Sequence, residues 1–236
     1  MHADGTDERR LTNNDVYDAW PDWANPARAP SSPPAAAATK AARPRGEVIL
    51  REDFSDASRS WYAGSPDGVS QRISGGVYTF RILRKGAGSE GVQPLEPPAQ
   101  SVSVEASARL GRADRAAGIL VSCYADEANG YGFLVNPQNG ALALIGLHRG
   151  RYRPLAMDAV PAGVLHVPGT NRMRIDCLGA NAGRRGQARL FVNDRLVGKV
   201  RDRRGFARFR YASVGVAGQA AGERASFDDV VVRKLR

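Results

Sequence analysis

The chain has 236 residues, 42 % of them hydrophobic, with 34 basic and 24 acidic side chains and a formal charge of +10. It can hold one large domain with a tail, or two small domains, and it has the material for a sizeable core. No stretch approaches the ~20 apolar residues that a transmembrane helix needs, and the opening M-H-A-D-G-T-D-E-R-R lacks the apolar segment of a secretory signal.

Residues 1–25 are acidic and aromatic. Within them D-V-Y-D-A-W-P-D-W (Asp15 to Trp23) carries two of the three tryptophans in a segment with no core of its own. Tyr17, Trp20 and Trp23 read as a docking peptide that orders on a protein partner in a larger assembly, or folds back on its own domain. Residues 26–46 follow as a linker rich in proline and alanine, expected to be extended. Up to residue 46 the acids and bases balance, so the whole excess of +10 falls in residues 47–236. A field of that sign draws an acidic protein face, an anionic membrane surface or nucleic acid. The bases are spread over many segments, which reads equally as an ordinary arginine-rich surface. Arg201, Arg203, Arg204, Arg208 and Arg210 form the one dense run, and no nucleic-acid motif accompanies it.

From Glu47 onward, short β-rich runs alternate with Gly, Asn, Asp and Pro turns, and no segment has a helical period. The predicted strands are Val48–Phe54, Val69–Ile73, Val77–Leu83, Val102–Leu110, Gly118–Tyr124, Tyr131–Val135 and Ala141–Leu147. They continue with Tyr152–Met157, Arg172–Leu178, Ala188–Val192, Arg195–Val200, Ser213–Ala217 and Ser226–Val232. So many short strands make an antiparallel sandwich or barrel. Turns fall at Asn129-Gly130, Asn139-Gly140, His148-Arg149-Gly150 and Asn193-Asp194. G-A-G-S-E-G (86–91) matches a phosphate-loop spacing, but V-Q-P-L-E-P-P after it cannot open a helix, and it reads as a flexible loop.

Six segments in order carry a resemblance: E-D-F-S-D-A-S-R-S-W (52–61), S-G-G-V-Y-T-F (74–80), G-I-L-V-S-C-Y-A-D-E-A-N-G-Y-G-F-L-V (118–135), G-T-N-R-M-R-I-D-C-L-G (169–179), L-F-V-N-D-R-L-V (190–197) and S-F-D-D-V-V-V (226–232). Residues 47–236 thereby resemble the concanavalin A-like lectin/glucanase superfamily, and more narrowly its bacterial laminin-G-like and keto-disaccharide-hydrolase-like domains. The resemblance implies an all-β jelly roll of two antiparallel sheets with its first and last strands adjacent. It does not fix function, because the fold carries lectins, enzymes and interaction modules alike.

Cys123 and Cys177 are two buried thiols or one disulfide; the resemblance places them on strands near each other, where a bridge is plausible. A bridge would imply an oxidising, extracytoplasmic compartment, whereas a start at Met1 without a signal points to the cytoplasm or the periphery of a membrane complex. Asp228 and Asp229, adjacent on a strand, should face opposite sides and cannot act as a joint acid pair. One of them is expected to be a structural carboxylate; the sharper expectation is a calcium ion held by Asp53, Asp56 and Asp229. The superfamily's glucanase spacing of carboxylates is absent, as is any Ser/His/Asp arrangement with a nucleophile elbow. A non-catalytic binding module follows, an accessory subunit docked through its tail and a basic sandwich face. The alternatives are a lectin-like carbohydrate-binding module using Trp61, Tyr124, Tyr131 and Tyr152, or a glycoside-acting hydrolase.

Overall fold

The computed structural model describes residues 46–56, 61, 63–65, 68–112, 115–181 and 185–235. Tyr17, Trp20 and Trp23 lie outside the described residues. The elements are β1 (Gly46–Glu52), β2 (Val69–Ser74), β3 (Val77–Ile82), β4 (Gly88–Ala99), β5 (Ser101–Leu110), β6 (Gly118–Asp126) and β7 (Asn129–Val135), then β8 (Ala141–His148), β9 (Arg151–Ala159), β10 (Gly169–Leu178), β11 (Gly186–Val192), β12 (Arg195–Asp202), β13 (Phe209–Ala217) and β14 (Arg224–Leu235). Sheet A runs β12-β11-β10-β5-β14-β3-β2, with β1 also paired to β14, and sheet B runs β4-β13-β6-β7-β8-β9. All the ladders are antiparallel.

Period-two alternation builds the layers. On β5, Val102, Val104, Ala106, Ala108 and Leu110 point into the sandwich, while Glu105, Ser107 and Arg109 face outward. Between the sheets, Tyr78 packs on Phe80 with ring centroids 4.4 Å apart, and Phe80 meets Phe227 edge-on at 5.5 Å. Tyr131, Phe206 and Phe209 form a second aromatic group. Cys123 on β6 and Cys177 on β10 are joined as a disulfide, their Cα atoms 6.7 Å apart, which ties sheet B to sheet A through the core.

The first and last strands are adjacent, Gly46 opposite Leu235 and Glu52 opposite Val230. Two expectations fail. Residues 86–91, read as a flexible loop, lead into and form part of β4, a twelve-residue strand. Its prolines, Pro94, Pro97 and Pro98, hid it; they are tolerated because β4 is an edge strand. The two aspartates of β14 do not face opposite sides. A bulge shifts the register between Asp228 and Val231, and Asp229 takes a φ of 48°. Phe227 and Val230 are therefore both buried, while Asp228 is half-exposed and Asp229 exposed.

The margins of the sheets have a common composition. β9 exposes Arg151, Arg153 and Asp158, β4 carries its prolines, and β12 exposes Arg195, Lys199 and Arg201. On the free side of β2, Gly64 bridges to Gln71.

Candidate functional site

The outer face of sheet B is apolar, and much of it is buried: Tyr124, Leu120, Leu134, Ala143, Ile145 and Leu147 are each at most 8 % exposed. Register brings Tyr211, Tyr124, Gly130, Leu147 and Tyr152 into one row across five strands, and Ser213, Ser122, Gly132, Ile145 and Pro154 into the next. A third row begins at Glu90 on β4 and passes Gly215, Leu120, Leu134 and Ala143 to Met157. Leu120, Leu134, Ala143, Ile145 and Ala217 form a hydrophobic cluster separate from the main core, with Tyr152 packed against it.

Glu90 is the chemical centre of this face. Its side chain lies across Gly215, where a Cβ would stand 2.7 Å from Glu90 Cγ; only glycine leaves the room. Tyr124 Oη donates to both Glu90 oxygens at 2.7 and 2.8 Å, and Ser213 Oγ donates to Oε2. Loss of water raises the Glu90 carboxyl above the ordinary range, and the Ser213 and Tyr124 hydroxyls offset part of that shift. Burial, then the charge of Glu90, pushes the Tyr124 phenol well up. Ser122, between Tyr124 and Leu120 on β6, is fully buried beside this pair. At the other end of the face an open depression of about 290 Å³, solvent included, is lined by Leu134, Ala217, Asn136, Gln138, Gln219 and Glu223. Glu223 accepts from Gln138 Nε2 at 3.0 Å and from Gln219 N at 2.8 Å. Desolvation raises its carboxyl too.

The four aromatics expected to stack on sugar separate into two pairs. Trp61 and Tyr131 belong to the core. Trp61 Nε1 donates to Glu52 Oε2 at 3.2 Å, and its ring meets Phe54 edge-on at 5.3 Å. Tyr131 is fully buried and donates to Asp202 Oδ2 at 3.1 Å, an oxygen that His148 Nε2 also approaches at 3.2 Å. Neither ring is open to a ligand. Tyr124 and Tyr152 share the outer face of sheet B. The carboxylates expected to hold calcium are not gathered: among the described residues, no three His, Cys, Asp or Glu side chains form a metal-binding group. Asp53 instead accepts from Ser55 N at 3.0 Å and Ser55 Oγ at 2.7 Å, and the bulge leaves Asp229 exposed at the surface.

The outer face of sheet A has the opposite chemistry. Arg172, Arg174, Arg189 and Arg233 stand at its centre. Arg72, Arg81, Arg109 and Arg224 extend it toward β2, Lys199 and Arg201 toward β12, and Arg51 lies on β1. Against these eleven bases stand five acids, Glu105, Asp176, Asp194, Asp228 and Asp229, and Arg172 already pairs with Asp194 at 2.8 Å and Glu105 at 3.5 Å. Most of the chain's positive excess thus lies on one sheet face. Arg174 is 2 % exposed, its guanidinium 3.7 Å above the Phe191 ring. Asp176 lies 3.3 Å from both Arg174 Nε and Arg189 Nη2. Arg174 Nε and Nη1, Arg189 Nε and the facing Asp176 Oδ1 are nonetheless buried without hydrogen bonds of good geometry.

Glu90 was missed in the sequence, and the basic sandwich face was expected without the residues that form it. Glu90 sits in the segment read as a loop. The arginines looked scattered because their common facing appears only when their parity is set against the core positions of each strand.

No protein-family profile and no curated protein sequence matches the chain. Solved structures do resemble it in fold. A Bacillus subtilis protein of unknown function with a galectin-like fold superposes with a TM-score of 0.57 at 13 % identity, over 82 % of this chain and 100 % of that one. The carbohydrate-binding module CBM66 from Bacillus subtilis gives 0.51 at 14 % identity, over 74 % and 95 %. The carbohydrate recognition domain of Emp46p, in its potassium-bound form, gives 0.51 at 12 % identity, over 80 % and 97 %. At such identities the likeness establishes the fold, a galectin-like β-sandwich, and nothing finer.

Proposed function

We propose that this chain is a carbohydrate-binding module without a catalytic step, taking a neutral glycan on the outer face of sheet B. The observation that carries the reading is the Glu90 cluster: an enclosed carboxylate held by the Tyr124 and Ser213 hydroxyls, on a floor of small and aliphatic side chains with Tyr152 at its margin. Sugars present hydroxyls beside apolar C–H faces, and a carboxylate set among hydroxyls next to an aromatic ring suits both. The folds of CBM66 and of the Emp46p recognition domain support this over an accessory subunit docked by its tail. The Cys123–Cys177 bridge supports an oxidising compartment outside the cytoplasm.

The test is a glycan array followed by titration calorimetry with the best neutral oligosaccharide. Glu90→Gln and Tyr152→Ala should each weaken binding by at least about tenfold, the loss of one buried charged hydrogen bond or one stacking contact, with an unchanged circular dichroism spectrum. An array blank for neutral glycans, or binding indifferent to both substitutions, would remove the proposal. Tyr131→Ala is not an informative variant, because that ring is core.

A further inference from the structure

We infer that the outer face of sheet A is a second binding site, for a polyanionic polysaccharide carrying carboxylate or sulfate groups. The inference does not rest on the neutral-glycan site, which occupies the opposite face of the sandwich.

Charge and geometry carry it together. One row crosses sheet A as Lys199, Arg189, Asp176, Ser103 and Arg233, spanning four strand spacings, or about 19 Å. A second row runs Arg72, Thr79, Ser226 and Arg109. Both rows end in bases, with Asp176 and Ser103 inside the first and the hydrogen-bonded Thr79 and Ser226 inside the second, so an extended polymer meets positive groups at intervals. Ten of the eleven bases are arginine. The guanidinium fork matches the planar oxygen pair of a carboxylate and the oxygens of a sulfate, where lysine offers only a point charge.

The second observation is the set of unmet donors at the centre. Arg174 is held over Phe191 with its Nε 3.3 Å from Asp176 Oδ1, and its Nη1, with Arg189 Nε, has no hydrogen-bond acceptor. Buried donors of this kind call for an acceptor. Anionic oxygens arriving beside Arg189, whose side chain is 36 % exposed, would supply it.

Other polyanions fit less well. The most exposed large hydrophobics among the described residues are Val48, Leu83, Val92 and Met157. None is aromatic, so the face lacks the rings on which single-stranded nucleic acid stacks and by which proteins anchor in a membrane interface. A seven-strand path is also too broad to enter a duplex groove as a two-stranded ribbon does.

The experiment uses the full chain on surfaces bearing heparin, polygalacturonate, dextran or a 20-base-pair DNA duplex, about the length of a short oligomer in phosphate charge. Saturable binding to heparin or polygalacturonate, weakening with salt as counterion release requires and exceeding that to DNA and dextran, is expected. Arg72→Ser/Arg109→Ser/Arg224→Ser, all at exposed positions, should weaken it by about tenfold or more, and Glu90→Gln should leave it unchanged. If neither polyanion binds, if DNA binds equally well, or if the triple variant binds as the parent does, the inference is wrong. Loss of neutral-glycan binding alone leaves it standing.

Discussion

Replacing both bridging cysteines, Cys123→Ala/Cys177→Ala, tests how far the sandwich depends on its one covalent tie between sheets. The cysteines are 54 positions apart. In the chain-entropy picture, opening a loop of that size gives the unfolded chain freedom worth about 4 kcal/mol. The alanines keep the site apolar, where serines would bury hydroxyls without partners. For a domain of this size each kcal/mol moves the melting temperature by about 2–4 °C, so the variant should melt about 8–16 °C lower. Differential scanning calorimetry of parent and variant, with and without reductant, measures the shift. The parent in reductant should fall to near the variant's temperature, and the variant should ignore reductant. In urea the variant should also show a steeper dependence, because its unfolded state exposes more surface. Two titratable thiols in the native parent, or a parent melting temperature that does not fall when the bridge is reduced, would refute the reasoning.

Glu52 is buried and accepts from Phe54 N at 2.7 Å and from Trp61 Nε1; Glu52→Ala should cost about 2–4 kcal/mol in urea unfolding, since it strands two donors, and a loss under about 1 kcal/mol would contradict that. Asp229→Val should destabilise by about 1–2 kcal/mol because of the positive φ, whereas Asp229→Gly should be nearly neutral; equal effects would show that the bulge relaxes. The Glu90, Asp176 and Glu223 carboxyls are all raised by desolvation. The folded state then holds protons that the unfolded state has released, so stability should grow as pH falls from above their folded values toward the ordinary carboxylate range. Glu90→Gln should flatten that dependence in urea titrations between neutral and mildly acidic pH, and an unchanged slope would count against an enclosed, desolvated carboxylate.

Much of the sandwich is legible in the chain because a strand with one wet face writes its alternation directly, as Val102–Leu110 does. The strand that escaped, Gly88–Ala99, is rich in glycine and proline, residues whose local preferences argue against a strand; only its place at a sheet edge makes them acceptable. With it went Glu90, whose partners Tyr124 and Ser213 lie 34 and 123 positions away. No local spacing could have joined them. Tyr131 and Tyr124 read alike as aromatic candidates, yet they fall on opposite sides of the sheet, since seven residues and a hairpin separate them. The aspartate pair misled for a related reason: parity was counted through a bulge that resets it.

The margins of both sheets have a bearing on how the molecule keeps company. A strand edge with free amides and carbonyls invites another chain to extend the sheet, which is the route to fibres. Here β4 withholds amide hydrogens at its prolines, while β9 and β12 set arginine, lysine and aspartate along the rim, where a second copy would meet like charges. Growth by lateral strand addition is thereby discouraged, so copies of the chain can stand side by side at high local concentration without their sheets merging.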